Sequence, residues 1–350
     1  MKVAIYTIAL NESKHVERWY ESSRGADYHL IADTGSTDDT VARATALGIN
    51  VIQVGLSPFR FDDARNASLT ALPLDIDYCI SLDMDEVMVE GWREELEKAH
   101  VDGITRPGYR FIYAWTEDGK PSEEMTGFRI HARKGYRWKY PIHEVPDPYG
   151  IDETKKTYDF QVHHLPDNEK SRGQYLPMLE MAVAEDPNSR NLYYLGREYF
   201  YKGRFEDSLH ILKGYLDISK FPEERGYALR LMSKCDPKME EEYLIRSTEE
   251  YGSRESVLAL ANYYYRTQKW DECLLVSKKS LEITNKSLNF LSEHWAWGHM
   301  PYDLIAISSW QLGDWKTAYE YGKQAVEISP NDERLVNNLA FYKEKLDGNT

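Results

Sequence analysis

At 350 residues, with 42 % hydrophobic and 29 % charged side chains, the chain has the make-up of an ordinary globular protein and is long enough for two domains. Its formal net charge of −15 opposes tight, sequence-independent binding to nucleic acid or anionic membranes. Three cysteines, Cys79, Cys235 and Cys273, are odd in number and lack Cys-x-x-Cys spacing. They indicate neither a disulfide framework nor a zinc site, which fits a reducing cytoplasm.

Met1 to Leu10 carry one lysine and a short apolar run that Asn11 and Glu12 cut off, the pattern of a strand and not of a signal peptide. No stretch approaches the roughly 18 apolar residues of a membrane-spanning helix. Up to about residue 100 strands and helices alternate: strands near 3–10, 28–33, 50–54 and 77–83, with helices beginning at Ser13, Thr37 and Asp62. Such β-α alternation predicts a mostly parallel sheet with right-handed crossovers. Ser36-Thr37-Asp38-Asp39 supplies an N-cap and early acids for the second helix. Between about 104 and 164, aromatic and β-branched residues punctuated by Gly103, Pro107-Gly108 and Gly135 predict a smaller, mainly antiparallel extension.

Beyond Pro166 the periodicity becomes that of long helices, and the chain begins to repeat itself. Leu195-Gly196-x-x-Tyr199 with Gly203-Arg204-Phe205 recurs as Leu260-Ala261-x-x-Tyr264 with Lys269-Trp270, and again from Ile305-Ala306 through Gly313-Asp314-Trp315 to Ala318, Ala325 and Pro330. These copies resemble tetratricopeptide repeats, in which small residues let paired helices approach and an aromatic fills the gap to the next. A degenerate helix pair is expected between 222 and 252. An insertion carrying Trp295-Ala296-Trp297-Gly298-His299 precedes the last copy; its aromatics either fill a gap between repeats or meet a partner.

The chemistry concentrates where the first-half strands end. In order, the strand ends carry Thr7-Ile8-Ala9-Leu10-Asn11-Glu12, Ile31-Ala32-Asp33-Thr34-Gly35-Ser36, Phe61-Asp62-Asp63-Ala64-Arg65-Asn66 and Ser81-Leu82-Asp83-Met84-Asp85-Glu86. A parallel sheet exposes such segments along one edge, the edge at which ligands bind. Asp83 and Asp85, one residue apart as the chain leaves a strand, suit a hard divalent cation that also holds phosphate oxygens.

This ordered series resembles the inverting family 2 glycosyltransferases of the GT-A fold over roughly residues 1–165, nearest to lipopolysaccharide-core glucosyltransferases and to the branch with a repeat-containing helical tail. The resemblance implies an α/β, Rossmann-like mixed-sheet catalytic domain at 1–165, a linker at 166–173 and an all-α, tetratricopeptide-like domain at 174–350. It implies that Thr7, Ala9, Asn11 and Glu12 border the nucleotide, that Asp33 accepts a hydrogen bond from the base, and that Arg65 lies near the diphosphate. It makes Asp83 a contact to ribose or metal and Asp85 a direct ligand of Mn2+ or Mg2+, which would stabilise charge on the departing phosphate. His164, or else His163, completes the metal shell, or this strand end merely packs on the first helix. Glu144 in Tyr140-Pro141-Ile142-His143-Glu144 is the candidate base that deprotonates the acceptor, with His143 orienting it or ligating the metal; the alternative for Glu144 is a structural ion pair, and Asp85 or Glu86 could stand nearer the acceptor.

The expected function is transfer of a hexose, with inversion, from a nucleotide sugar, UDP-linked by preference, to a peptide, a glycan or another hydroxyl or thiol acceptor positioned in part by the helical domain. The competing readings are a nucleotidyltransferase, which would add a Gly- and Arg/Lys-rich phosphate loop that Ala9-Leu10-Asn11-Glu12 is not, and a repeat scaffold whose catalytic half is inactive. Repeat domains also dimerise, so a homodimer fits the helical half.

Overall fold

The computed structural model describes residues 1–116, 119–167, 173, 175–287, 289 and 291–348. Two compact units divide the chain, one built on Met1–Ala182, the other on Val183–Ser287 and the chain from Leu291 onward. The division falls inside a helix that follows the expected linker; residues 168–172 of that linker lie outside the described residues.

The first unit opens with β1 (Val3–Ala9), α1 (Val16–Ser22), β2 (Tyr28–Asp33), α2 (Thr40–Ala46), β3 (Asn50–Gln53), α3 (Phe61–Ala71) and β4 (Tyr78–Ser81). The four strands lie parallel in the order β3-β2-β1-β4. The central strand β1 has no polar face: Val3 and Ile5 pack into one core with Trp19, Ile31, Ile80 and Leu96, while Ala4 and Tyr6 pack into another with Leu30, Leu69 and Trp138. A strand buried on both sides reads as an unbroken apolar run, which is why the sequence announces it so clearly. From β1 the chain steps outward through β2 to β3, and α3 then returns it to lay β4 on the other side of β1. The strand order therefore reverses at β1, and the carboxyl ends of β1 and β4 flank the switch point where open α/β sheets bind ligands.

The next elements are β5 (Glu86–Met88), α4 (Trp92–Val101), β6 (Arg106–Trp115), β7 (Pro121–Gly127), β8 (Ile130–Ala132), β9 (Tyr136–Lys139), β10 (Val145–Pro148) and β11 (Lys155–His164). The expected smaller, mainly antiparallel extension forms, with β5-β11 and two further antiparallel pairs and a single parallel pair among the described residues. The β6-β7 and β9-β10 pairs are antiparallel, but β11 runs parallel to β6 in a second sheet ordered β5-β11-β6-β7. The long excursion through β7 to β10 lets the chain return alongside β6 in the same direction. The short strand β8 leaves that sheet altogether and pairs antiparallel with the free edge of β4, which carries Arg129 to the end of β4.

The remaining helices are α5 (Tyr175–Glu185), α6 (Ser189–Tyr201), α7 (Phe205–Ile218), α8 (Pro222–Cys235), α9 (Glu240–Glu250), α10 (Arg254–Arg266), α11 (Trp270–Glu282), α12 (Met300–Gln311), α13 (Trp315–Ile328) and α14 (Glu333–Leu346), with a 3-10 turn at His294–Trp297. From α6 on they pack as successive pairs, and the degenerate region forms a regular pair, α8 with α9. The small-residue logic is visible at Gly196, where a β-carbon would lie 2.6 Å from Leu212 Cδ2. Ser208 Oγ donates to the Gly196 carbonyl at 2.8 Å, and Ser247 Oγ does the same to Gly226 in the next pair. Trp295 and Trp297 pack beside Leu258 and Ala261, and Trp297 Nε1 donates to Glu255 Oε1 at 2.9 Å. They fill a gap, as one of the two sequence alternatives has it. Among the described residues no helix is long and apolar enough to cross a membrane.

Candidate active site

The loop leaving β1 and the loop leaving β2 are latched together. Asn11, at φ +56°, donates its backbone N–H to Ser36 Oγ at 2.8 Å and accepts at Oδ1 from the Thr37 N–H at 2.8 Å. Glu12 N–H donates to Thr40 Oγ1 at 2.8 Å. Burial opposes the charge of Asp38, but hydrogen bonds from Thr40 and Ser13 outweigh it and hold that carboxyl at about 2. Three of the residues expected to border a nucleotide are turned inward: Thr7 and Ala9 are buried within β1, and Glu12 is buried against His15. Burial of β1 on both faces encloses Thr7 and Ala9, and Glu12 is buried in the loop beyond the strand; Asn11 alone of the four is exposed. Asp33 is also buried, and its carboxylate accepts from the backbone N–H groups of Gly35 at 3.2 Å and Ser36 at 3.1 Å, closing its own turn.

At the end of β4 the structure gathers five alternating charges, Glu86, Arg129, Asp83, Arg65 and Glu144. Arg65 leaves the buried face of α3 and donates through Nε to Glu144 Oε1 at 2.5 Å, through Nη1 to Ser81 Oγ at 2.6 Å and through Nη2 to Asp83 Oδ1 at 2.8 Å. The ring of Trp138 lies 5.0 Å from its guanidinium carbon. Arg129 donates through Nη1 to Asp83 Oδ2 at 2.6 Å and through Nη2 to Glu86. Burial works against the charge of Asp83, but Arg65 and then Arg129 outweigh it and hold the carboxyl well below the usual range; for Glu86, burial prevails and pushes the carboxyl up. Asn66, next to Arg65, clamps β9 by accepting from Trp138 N–H at 2.8 Å and donating to the Trp138 carbonyl at 2.9 Å. The Asp-Ala-Arg-Asn motif thus joins α3 to β9 and the turn carrying Glu144 on one side and to the β4 acids on the other.

Glu144 stands in the turn between β9 and β10, where Tyr140 and His143 adopt φ of +82° and +54°. Non-glycine residues pay conformational energy there, and such strain concentrates at functional sites. His143 lies with its ring 6.3 Å from that of Tyr175, in an edge arrangement.

Across the edge, His164 and Asp85 meet, with Nε2 3.7 Å from Oδ2. The His164 ring stacks on Tyr113 at 5.0 Å, and its Nδ1 shares a hydrogen bond with the Tyr113 carbonyl at 3.1 Å. Burial lowers the imidazole pKa, but Asp85 and the Tyr113 carbonyl together raise it above its ordinary value. His163, one residue back on the strand, has its Nε2 2.9 Å from Gln161 Oε1 and its ring edge-on to Trp115. Successive strand residues face opposite ways, so of the two histidines it is His164 that meets Asp85.

Among the described residues no three His, Cys, Asp or Glu side chains converge to hold a metal on their own. Asp85 and His164 supply one carboxylate and one imidazole, a donor set that fits Mn2+ or Mg2+ when phosphates and water provide the other ligands. Asp83 has both oxygens on arginines, and Arg65, expected beside the diphosphate, has all three of its donor nitrogens directed at protein groups. Sequence motifs did not include Arg129, and they included Ser81 without giving it a role. The available signal was electrostatic: three acids at the end of a buried strand require cations, because an unpaired buried charge costs several kcal/mol.

No family model matches the chain, and none of the curated proteins does. Solved structures are similar to it in part. PilF of Pseudomonas aeruginosa has 16 % identity over 48 % of this chain and 72 % of its own, with a TM-score of 0.38. MamA of AMB-1 has 17 % identity over 45 % and 82 %, with a TM-score of 0.36. TTC0263, a thermophilic TPR protein of Thermus thermophilus, has 16 % identity over 48 % and 88 %, with a TM-score of 0.31. Each covers under half of this chain, and at these scores none carries an argument about what the protein does.

Proposed function

We propose that the first unit is an inverting glycosyltransferase of the GT-A type, moving a hexose from a nucleotide sugar, UDP-linked by preference, to a hydroxyl or thiol acceptor. The observation that carries the reading is the joining of Glu144 to Asp83 by one guanidinium, that of Arg65, at the switch point of the sheet. A single-displacement transfer needs a base for the acceptor and an anchor for the leaving diphosphate on opposite sides of one anomeric carbon. Glu144 is the base in this reading, held in position by Arg65, and Asp85 with His164 forms the anchor. The bound Mn2+ or Mg2+ would neutralise charge developing on the phosphate. Asp33 and Asn11 border the nucleoside side of the crevice through their turns.

The helical unit is, in this reading, a binding surface for the peptide that carries the acceptor. It holds a cavity of about 200 Å3 lined by Arg230, Lys234, Asn262, Arg266, Glu293 and Trp295. That is below the roughly 300–1,000 Å3 of small-molecule sites, which suits a side chain of a peptide acceptor better than a nucleotide sugar.

The test is turnover of UDP- and GDP-hexoses by the full chain with Mn2+ and with EDTA. Metal-dependent release of UDP that disappears in Asp85→Ala is the expected result. Failure of every such donor to turn over with Mn2+ would overturn the proposal.

A further inference from the structure

We infer that the arginine which receives the diphosphate in this site is Arg129, not the Arg65 of the strand-end motif; the inference rests on the nucleotide-sugar reading above. Both guanidiniums hold the same carboxylate, Asp83, but they differ in what else holds them. The Arg65 side chain is 4 % exposed, its three nitrogens bond Glu144, Ser81 and Asp83, and Trp138 covers one face. Turning it to a ligand would break three charge-assisted or buried hydrogen bonds at once.

Arg129 is 22 % exposed and is held by two carboxylates and the buried Tyr109 hydroxyl, with the ring of Phe111 5.6 Å from its guanidinium carbon. One of those carboxylates, Glu86, is buried and fixes the arginine; the other, Asp83, is 32 % exposed, the most open of the five charged groups. A phosphate approaching the end of β4 therefore meets Arg129 at the Asp83 side. The exchange leaves nothing buried and unpaired. A phosphate oxygen replaces Asp83 Oδ2 on Nη1, Arg129 keeps Glu86, and Asp83 keeps Arg65 through Oδ1. The five groups carry three carboxylates against two guanidiniums, so Asp83 is a resting-state counter-ion that competes with the incoming anion.

That competition gives a test with two opposite signs. UDP binding to the full chain is measured by calorimetry in EDTA, with a melting curve for each variant. Arg129→Gln is expected to lower UDP affinity by about tenfold or more, and Arg129→Lys to retain part of it. Asp83→Asn, which weakens the competitor without changing its shape, is expected to raise metal-free UDP affinity, a gain that damage to the fold would not produce. Unchanged affinity in a folded Arg129→Gln, or weaker binding in Asp83→Asn, overturns the inference while leaving the nucleotide-sugar reading standing. If Arg129→Gln does not fold, the sign of the Asp83→Asn change decides. Absence of UDP binding by the unaltered protein overturns both.

Discussion

Arg65 and Glu144, 79 positions apart in the chain, meet through a hydrogen bond of 2.5 Å from Nε to Oε1. The contact couples α3 to the strained turn that carries Glu144, and it takes up the arginine that the strand-end motif reserves for a phosphate. Both ion-pair and base roles are therefore compatible for Glu144: the pair orients one oxygen, and Oε2 is the atom available for proton transfer. Glu144→Gln preserves the shape and an acceptor oxygen for Arg65. It is expected to keep donor binding and lower transfer about 100-fold or more. Arg65→Met is expected to destabilise the protein by about 3–5 kcal/mol, since it leaves Glu144 and Asp83 short of a buried counter-charge. Full transfer activity in a folded Glu144→Gln would remove Glu144 from the chemistry.

The two histidines at the end of β11 separate cleanly. In the presence of UDP, His164→Ala is expected to weaken Mn2+ binding, read by the free-ion electron paramagnetic resonance signal, by about tenfold or more, within the range that losing a metal contact produces. His163→Ala, which loses the contacts to Gln161 and Trp115, is expected to leave it within about twofold. Equal effects from both variants would mean that neither ligates.

The parallel strands were legible in the sequence because burial on both faces leaves long apolar runs: β1, β2 and β4 were expected near 3–10, 28–33 and 77–83 and occupy Val3–Ala9, Tyr28–Asp33 and Tyr78–Ser81. Their acidic ends were legible too, as departures from those runs. Partners of the acids were not, because they depend on pairing over long distances in the chain. Arg129 reaches Asp83 only since the three-residue β8 docks on β4, and a strand that short has no periodicity to read. Burial of Thr7 and Glu12 was lost for a related reason: a motif gives residue order along an edge, whereas packing on both faces of β1 encloses Thr7, and the loop that follows folds Glu12 in beside His15.

Gln268 occupies the place in the α10-α11 turn that Gly203 and Gly313 hold in the α6-α7 and α12-α13 turns. All three have left-handed backbone, with φ of +58°, +72° and +82°. The closing hydrogen bonds match as well: Lys269 N–H to Tyr264, Arg204 N–H to Tyr199 and Asp314 N–H to Ser309, each at 2.9 Å. A glycine adopts this conformation without the β-carbon clash that Gln268 bears. Gln268→Gly is expected to stabilise the helical region by about 0.5–1 kcal/mol, or roughly 1–4 °C in Tm. A lower Tm would show that contacts of the Gln268 side chain outweigh the backbone gain.

His131 gives the first unit a pH dependence whose sign is fixed by burial. It lies on β8 with no exposed surface, its Nε2 3.3 Å from the Tyr6 hydroxyl and its Nδ1 2.8 Å from the Ala132 carbonyl. Burial lowers its pKa to about 4, against an upward pull from that carbonyl and further lowering by Arg106 and Arg133. The unfolded chain, at about 6.5, therefore binds a proton that the folded chain refuses. Stability from this group is fully present above about pH 6.5 and is lost as pH falls toward about 4, by up to about 1.4 kcal/mol per pH unit. Urea unfolding at about pH 7 and about pH 5 isolates it from most carboxylates. The unaltered protein is expected to lose about 2 kcal/mol more across that interval than His131→Phe, whose Tyr6 hydroxyl still accepts from Trp138 Nε1 at 2.6 Å. Parallel losses in the two proteins would show that His131 takes up its proton in the folded state, through an opening of the β4-β8 edge that the packing around Tyr6 and Trp138 does not reveal.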